Sequence, residues 1–259
     1  MEQIRLLLRF LNSHFAPVAR SLYPLLEHGE ITFDLLWAIF KPNDLLFTTC
    51  TGSGQPRCVR IVSSQEEISL LDGKSFSMDC RYLNHDGKSF GEATIKLNIG
   101  NFHGVQKIRD LEVFPLRFHA EEKTLRNELF SCGRKFFSLL GVRHQYYRGK
   151  AFYVRKDNPM KVHVQSRVIV DAISFKEANP NYKTSKFHQP QKSIYDALEH
   201  DLWSEPTAES QPAPAKQVLA KDVRPEDLLI CSPTLLGYSL EDKMWRKTFC
   251  CIGLLTTDR

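Results

Sequence analysis

No apolar run in the 259-residue chain approaches the roughly 20 residues that cross a bilayer, which excludes a transmembrane helix. The seven cysteines, at positions 50, 58, 80, 132, 231, 250 and 251, contain no Cys-x-x-Cys pair. An odd number without a secretory signal fits reduced thiols inside the cell, in the cytoplasm or nucleus. The nine histidines form neither His-Glu-x-x-His nor a Cys/His zinc pattern, and no metal site is expected. There is no Gly-x-Ser-x-Gly elbow, and no motif couples a Ser or Cys nucleophile to a base. A phosphate-binding P-loop is absent as well. Gly73-Lys74-Ser75 and Gly87-Lys88-Ser89 mimic its end, but Ile68 and Tyr82 stand where its leading glycine is required. Both tripeptides read as hairpin turns. Gly52-Ser53-Gly54 lacks the third glycine of a dinucleotide loop and also reads as a turn. No catalytic residue and no cofactor is therefore expected in this chain.

What is present is hydrophobic periodicity. Residues 77–83 alternate with a period of two, and Asp86-Gly87 follows as a hairpin signal because both residues tolerate positive φ. Ala93, Ile95, Leu97 and Ile99 supply a second strand with one apolar face. A further strand is expected over 108–116, with Pro115 marking a sheet edge or bulge. Leu125, Leu129, Phe136, Leu139 and Leu140 switch to helical spacing, with Glu121 and Glu122 in the first turn, Gly133 a weak point inside, and Gly141 as a C-terminal cap. Strand composition returns over 146–154 and 162–170, and a short helix is expected over 171–178. Earlier in the chain, 31–40 reads as one short apolar helix, 44–50 and 57–63 as a strand pair, and 67–71 as pairing with 74–82. Beyond 182 the composition turns to Pro, Ser, Glu, Lys and Gln, a linker expected to be disordered over 183–225. After it, 227–233 reads as a strand entering a turn and 240–249 as the start of a helix. The fold class is α+β: a mainly antiparallel sheet, N-terminal helices, one central helix and a disordered C-terminal linker.

Two segments carry an uneven distribution of charge. At the N-terminus, Ile4, Leu7, Leu8, Leu11 and Phe15 form an apolar stripe accompanied by Arg5, Arg9 and Arg20, with no acid between Glu2 and Glu27. Mitochondrial presequences share that character. The stripe resumes at Val18, Leu22, Leu25 and Leu26 after Pro17, which suits a kinked helix pair docked on the domain. The formal net charge of +5 argues little by itself, but residues 126–167 hold ten Lys/Arg against two acids, while the remainder has 25 bases against 28 acids. Within that segment Arg134, Lys135, Arg143, His144, Arg148, Lys150, Arg155 and Lys156 interleave with Phe136, Phe137, Tyr146, Tyr147, Phe152 and Tyr153. Such a surface can hold single-stranded nucleic acid by phosphate pairing and base stacking. Strand alternation equally allows the aromatics to face the core while the bases face water.

Several stretches together resemble one family: ITFDLLWAIF at 31–40, Gly54-Gln55-Pro56-Arg57, Cys80-Arg81-Tyr82 with Asp86-Gly87-Lys88, IRDLEVFPLRFH at 108–119, SLLGVRHQYYRG at 138–149, Asn179-Pro180-Asn181-Tyr182 and LICSPTLLGYSLED at 229–242. The joint pattern is similar to the N-terminal region that precedes an AAA+ ATPase domain in a large group of fungal proteins. The resemblance implies a non-catalytic module, 1–182, that recruits a substrate or partner or regulates an ATPase domain. The linker 183–225 and the segment 226–259 then lead toward that domain. ATP would belong to that domain alone, and its Walker motifs have no counterpart in these residues. The alternative is a nucleic-acid-binding module that uses the basic 126–167 segment.

Overall fold

The structure is a computed structural model and describes residues 2–69, 73–155, 158–182, 187–188, 224–250 and 254–255. Its elements are α1 (Glu2–Glu27), β1 (Glu30–Thr32), α2 (Leu36–Ile39), β2 (Leu45–Thr49), β3 (Pro56–Ser69), β4 (Gly73–His85), β5 (Phe90–Gly100), β6 (Val105–Lys107), β7 (Val113–Pro115), α3 (Glu122–Ser138), β8 (Arg143–Arg155), β9 (Asn158–Val170), α4 (Ala172–Ala178), β10 (Phe187–His188), β11 (Thr234–Ser239), β12 (Met244–Cys250) and β13 (Leu254–Leu255). The α+β class with antiparallel sheets holds.

A six-stranded sheet has the order β10-β5-β4-β3-β2-β7, with every pair antiparallel. The Asp86-Gly87 turn closes β4 on β5, pairing His85 with Phe90. Gly87 sits at φ +99, and a Cβ there would lie 2.7 Å from Ile173 Cγ1, so α4 packs on this turn through a residue that must be glycine. Pro115 lies on the edge strand β7, where its missing N–H costs no ladder bond. In the second sheet β8 pairs with β9, β9 with β11, β11 with β12, and β12 again with β8. These four strands close on themselves through Thr248–Phe152 and Phe249–Ala151, and β13 adds to β8 at Tyr146 and Tyr147.

Helix α3 joins the two sheets. Leu125 and Leu129 pack with Cys58, Leu116 and Leu229 on the first sheet. Phe136 and Leu139 pack with Tyr147, Val164, Val168 and Val170 on the second. The helix runs unbroken through Gly133, which lies against the 3-10 turn Pro225–Ile230. That turn is tied to the sheet by Arg60, buried, with Nη2 3.4 Å from Asp227 Oδ1. Ser232 N donates to Leu83 O, so residues 224–239 are integral to the same body.

Several local expectations are corrected. Residues 31–40 are not one helix: Glu30–Thr32 pairs with Val105–Lys107, and only Leu36–Ile39 is α-helical. The β-branched Ile31 and Thr32 suit the strand once a partner is supplied from 75 residues away. The expected strand over 108–116 is interrupted by 3-10 turns at Ile108–Asp110 and Leu116–Phe118. Residues 227–233 are not a strand, because Pro225 at the first position with Glu226 and Asp227 behind it starts a 3-10 turn. Residues 244–250 are strand and not helix, since Tyr238 pairs with Trp245 across the turn at Lys243, φ 51. The N-terminal segment is one continuous helix, Glu2–Glu27, that carries Pro17 and Pro24 inside it. The carbonyls deprived of a donor by Pro17 and Pro24 belong to Ser13 and Arg20, both exposed and open to water. The linker reading falls almost entirely on residues outside those described.

His85 is the buried base of the interface between sheets. It is 5 % exposed, its ring lies 4.9 Å from that of Phe136, and its Nδ1 has no hydrogen-bond partner. Burial pushes its pKa down to about 4, with nearby Lys176 acting the same way and Asp86 opposing. Between pH 6.5 and 4 the unfolded chain binds a proton that the folded chain refuses. Stability is therefore complete above pH 6.5 and is lost as pH falls toward 4, by about 3 kcal/mol. Urea unfolding of wild type and His85→Phe at pH 7 and pH 4 checks this, with the variant losing less than the wild type on acidification.

Candidate nucleic-acid interface

The long hairpin β8–β9 sorts its residues by alternation. Tyr147, Ala151, Val164, Ser166, Val168 and Val170 face inward and are buried. The register sets Tyr146 beside Arg167, Arg148 beside Gln165, Lys150 beside His163 and Phe152 beside Lys161 on the opposite face. Of these, Arg148, Lys150, Lys161, His163, Gln165 and Arg167 are exposed and Tyr146 is half-buried. Phe152 is the exception: it is 6 % exposed because its ring lies against Gly52 in the turn between β2 and β3. Side chains two positions apart stand about 7 Å apart along a strand, and cross-strand neighbours about 5 Å. Arg148, Lys150, Lys161 and Arg167 thus form one cationic band, and among the described residues none of them is in an ion pair with a carboxylate.

The predicted residues divide. Arg148 and Lys150 lie on this face. Arg143 is exposed at the start of β8 but has the opposite alternation, paired with Val170. Arg134 and Lys135 stand on α3, Arg134 with its guanidinium 4.8 Å from the Phe130 ring centroid. Arg155 pairs with Asn158 at the end of the hairpin, and Lys156 lies outside the described residues. Phe136, Tyr147 and Phe152 are buried in the body and unavailable for stacking, which leaves Tyr146 as the aromatic on the cationic face. Lys161, His163 and Arg167 were not among the candidates. Their signal is present in the sequence: Lys161, His163, Gln165 and Arg167 alternate with Val162, Val164, Ser166 and Val168, the pattern of a strand with one polar face.

Other chemistry-bearing groups have structural roles. Burial pushes the thiols of Cys58 and Cys80 up to about 12 and raises that of Cys231 further, so all three stay protonated at neutral pH. His119 packs between Phe47 and Phe114 and accepts from Glu121 N through Nδ1. A small apolar cleft between α3 and residues 231–233 is lined by Pro56, Leu125, Leu129, Cys132, Cys231 and Pro233, with Glu128 as its charged member. Among the described residues no group of His, Cys, Asp or Glu is arranged to hold a metal ion, and no helix is long and apolar enough to cross a membrane.

Residues 21–120 match the model of a family described as a domain of unknown function (DUF7025). The match covers β1 to β7, five of the six strands of the first sheet among them, and stops before α3 and the β8–β9 hairpin. No curated protein and no solved structure matches the chain.

Proposed function

We propose that the chain is a non-catalytic recruiting module whose working surface is the outward face of β8 and β9, and that it holds single-stranded nucleic acid there. The observation that carries the reading is the band of Arg148, Lys150, Lys161 and Arg167, unpaired with any carboxylate among the described residues and set around the half-exposed Tyr146. Cations spaced along an extended strand pair with successive phosphates, and one aromatic among them offers a base a stacking partner.

The resemblance to the region ahead of a fungal AAA+ ATPase domain supports the recruiting role. In a longer protein the module delivers its partner to an ATPase that binds and hydrolyses ATP, and a protein substrate is the partner in that setting if the basic face proves silent. Cys50, Cys58, Cys80, Cys132 and Cys231 are free thiols, which is compatible with a reducing compartment, cytoplasm or nucleus. The test is fluorescence anisotropy with a labelled single-stranded RNA at low salt. Binding is expected for the wild type and is expected to weaken at least about tenfold in R148E/K150E. No binding at low salt overturns the nucleic-acid reading. ATP hydrolysis by the purified chain overturns the non-catalytic one.

A further inference from the structure

Helix α1 has 26 residues and no buried one. Its apolar positions Ile4, Leu8, Leu11, Phe15, Val18, Leu22 and Leu25 recur at alternating intervals of four and three, a sustained heptad seam. The two halves of that seam meet different fates. Val18, Leu22 and Leu25 are half-buried, and Leu22 packs with Leu26 on the core of the first sheet. Phe15 reaches the exposed Trp37, with ring centroids 6.2 Å apart. Beyond that contact Ile4, Leu8 and Leu11 stay 60 %, 53 % and 37 % exposed, and Leu7 beside them 57 %. The unmatched half continues about 17 Å past Phe15 toward the N-terminus. Sequence separation and helical pitch make it the same stripe, with one end covered by the body and the other bare.

We infer that the bare half is a homodimer seam, covered by the same half of a second copy running antiparallel. Three observations select this occupant. The strict four-three spacing is what a helix needs to keep one face against another helix over several turns. The charges are also placed for it. At 100° per residue, Arg9 and Arg20 lie nearly opposite the stripe, while its margins carry Arg5 and Asn12 on one side and Leu7 and His14 on the other. In an antiparallel pair Arg5 lies across from Asn12 of the second copy and Leu7 across from His14, so no like charges face each other over the seam. Finally, the area suffices. Ile4, Leu7, Leu8, Leu11 and Phe15 from two copies bury roughly 1,000 Å², the lower bound of specific interfaces, so the dimer is expected to be reversible at micromolar concentration. The antiparallel sense follows from the body. The seam from Val18 onward is already occupied, so the free halves alone overlap, and an antiparallel overlap sets the two bodies at opposite ends, away from each other.

The test is sedimentation equilibrium of the full chain from about 1 to about 100 µM, beside the variant L8E/L11E. The wild type is expected to shift from 29.9 kDa toward twice that mass as concentration rises. The variant is expected to remain at the single mass, with a dissociation constant raised at least about tenfold and a melting curve matching that of the wild type at concentrations where it is monomeric, because Leu8 and Leu11 are exposed in their own chain. A wild type that stays monomeric throughout overturns the inference. So does a dimer that L8E/L11E leaves intact, or a monomer that instead sediments with phosphatidylserine vesicles through the same residues.

Discussion

Replacing Phe136 by alanine is expected to lower the unfolding free energy by about 4 kcal/mol. The side chain is fully buried and is the point where α3, the β4–β5 turn and the closed sheet meet. Its ring faces His85 at 4.9 Å, Phe90 at 5.9 Å and Phe137 at 6.1 Å. Truncation loses the transfer term of the ring and leaves a cavity between two rigid sheets that have little freedom to close on it. The vacated space also adjoins the unpartnered Nδ1 of His85. Water admitted there eases the desolvation that depresses this histidine, so the variant is expected to lose less stability than the wild type between pH 6.5 and 4. Phe136→Leu, which keeps most of the volume, separates the two effects with a cost of about 1 kcal/mol. Denaturant melts of the three proteins at pH 7 and pH 4 decide it. A Phe136→Ala cost under about 1 kcal/mol contradicts the packing described.

One turn earlier on the same helix, Gly133→Ala is expected to cost about 3 kcal/mol, and the sign is the informative part. Helix propensity alone favours alanine by about 1 kcal/mol in a helix interior. Packing opposes it: a Cβ at this position would lie 2.3 Å from the carbonyl oxygen of Leu228, 2.9 Å from its carbonyl carbon and 3.0 Å from its Cα. All three are backbone atoms, so no rotamer change relieves the contact. Either α3 lifts from the 3-10 turn Pro225–Ile230, or the turn shifts and strains the ion pair of Arg60 with Asp227. A fall in melting temperature of roughly 6 to 12 °C is expected for a chain of this size. An unchanged or raised melting temperature means that the turn does not pack against α3 as described.

The same glycine shows where the sequence is readable and where it is not. Read locally, Gly133 weakens a helix. Its actual meaning depends on Leu228, 95 residues further on, which no periodicity reports. The features that were readable are those whose cause is local: the Asp86-Gly87 turn, the alternation over 93–99, the helical spacing of Leu125, Leu129 and Phe136, and Pro115 at an edge. Those misread depend on a distant partner. Glu30–Thr32 becomes strand because Val105–Lys107 lies beside it, and the end of Met244–Cys250 is held by β8, about 95 residues earlier. The candidate face divides in the same way. The outward placement of Arg148 and Lys150 follows from a period of two within β8. Their grouping with Lys161 and Arg167 requires the register of β8 on β9, and Arg134 and Lys135 were included by sequence proximity alone although they ride on α3.

The cationic band is the central claim, and the salt dependence of RNA binding tests it most directly. If Arg148, Lys150, Lys161 and Arg167 each neutralise one phosphate of a single strand, a plot of log K against log salt has a slope of roughly −3. In R148E/K150E the slope is expected to fall to about half, roughly −1.4, as two of the four contacts are lost. A wild-type slope near zero, or a slope that R148E/K150E leaves unchanged, contradicts the account and moves the anion-binding surface away from the β8–β9 hairpin.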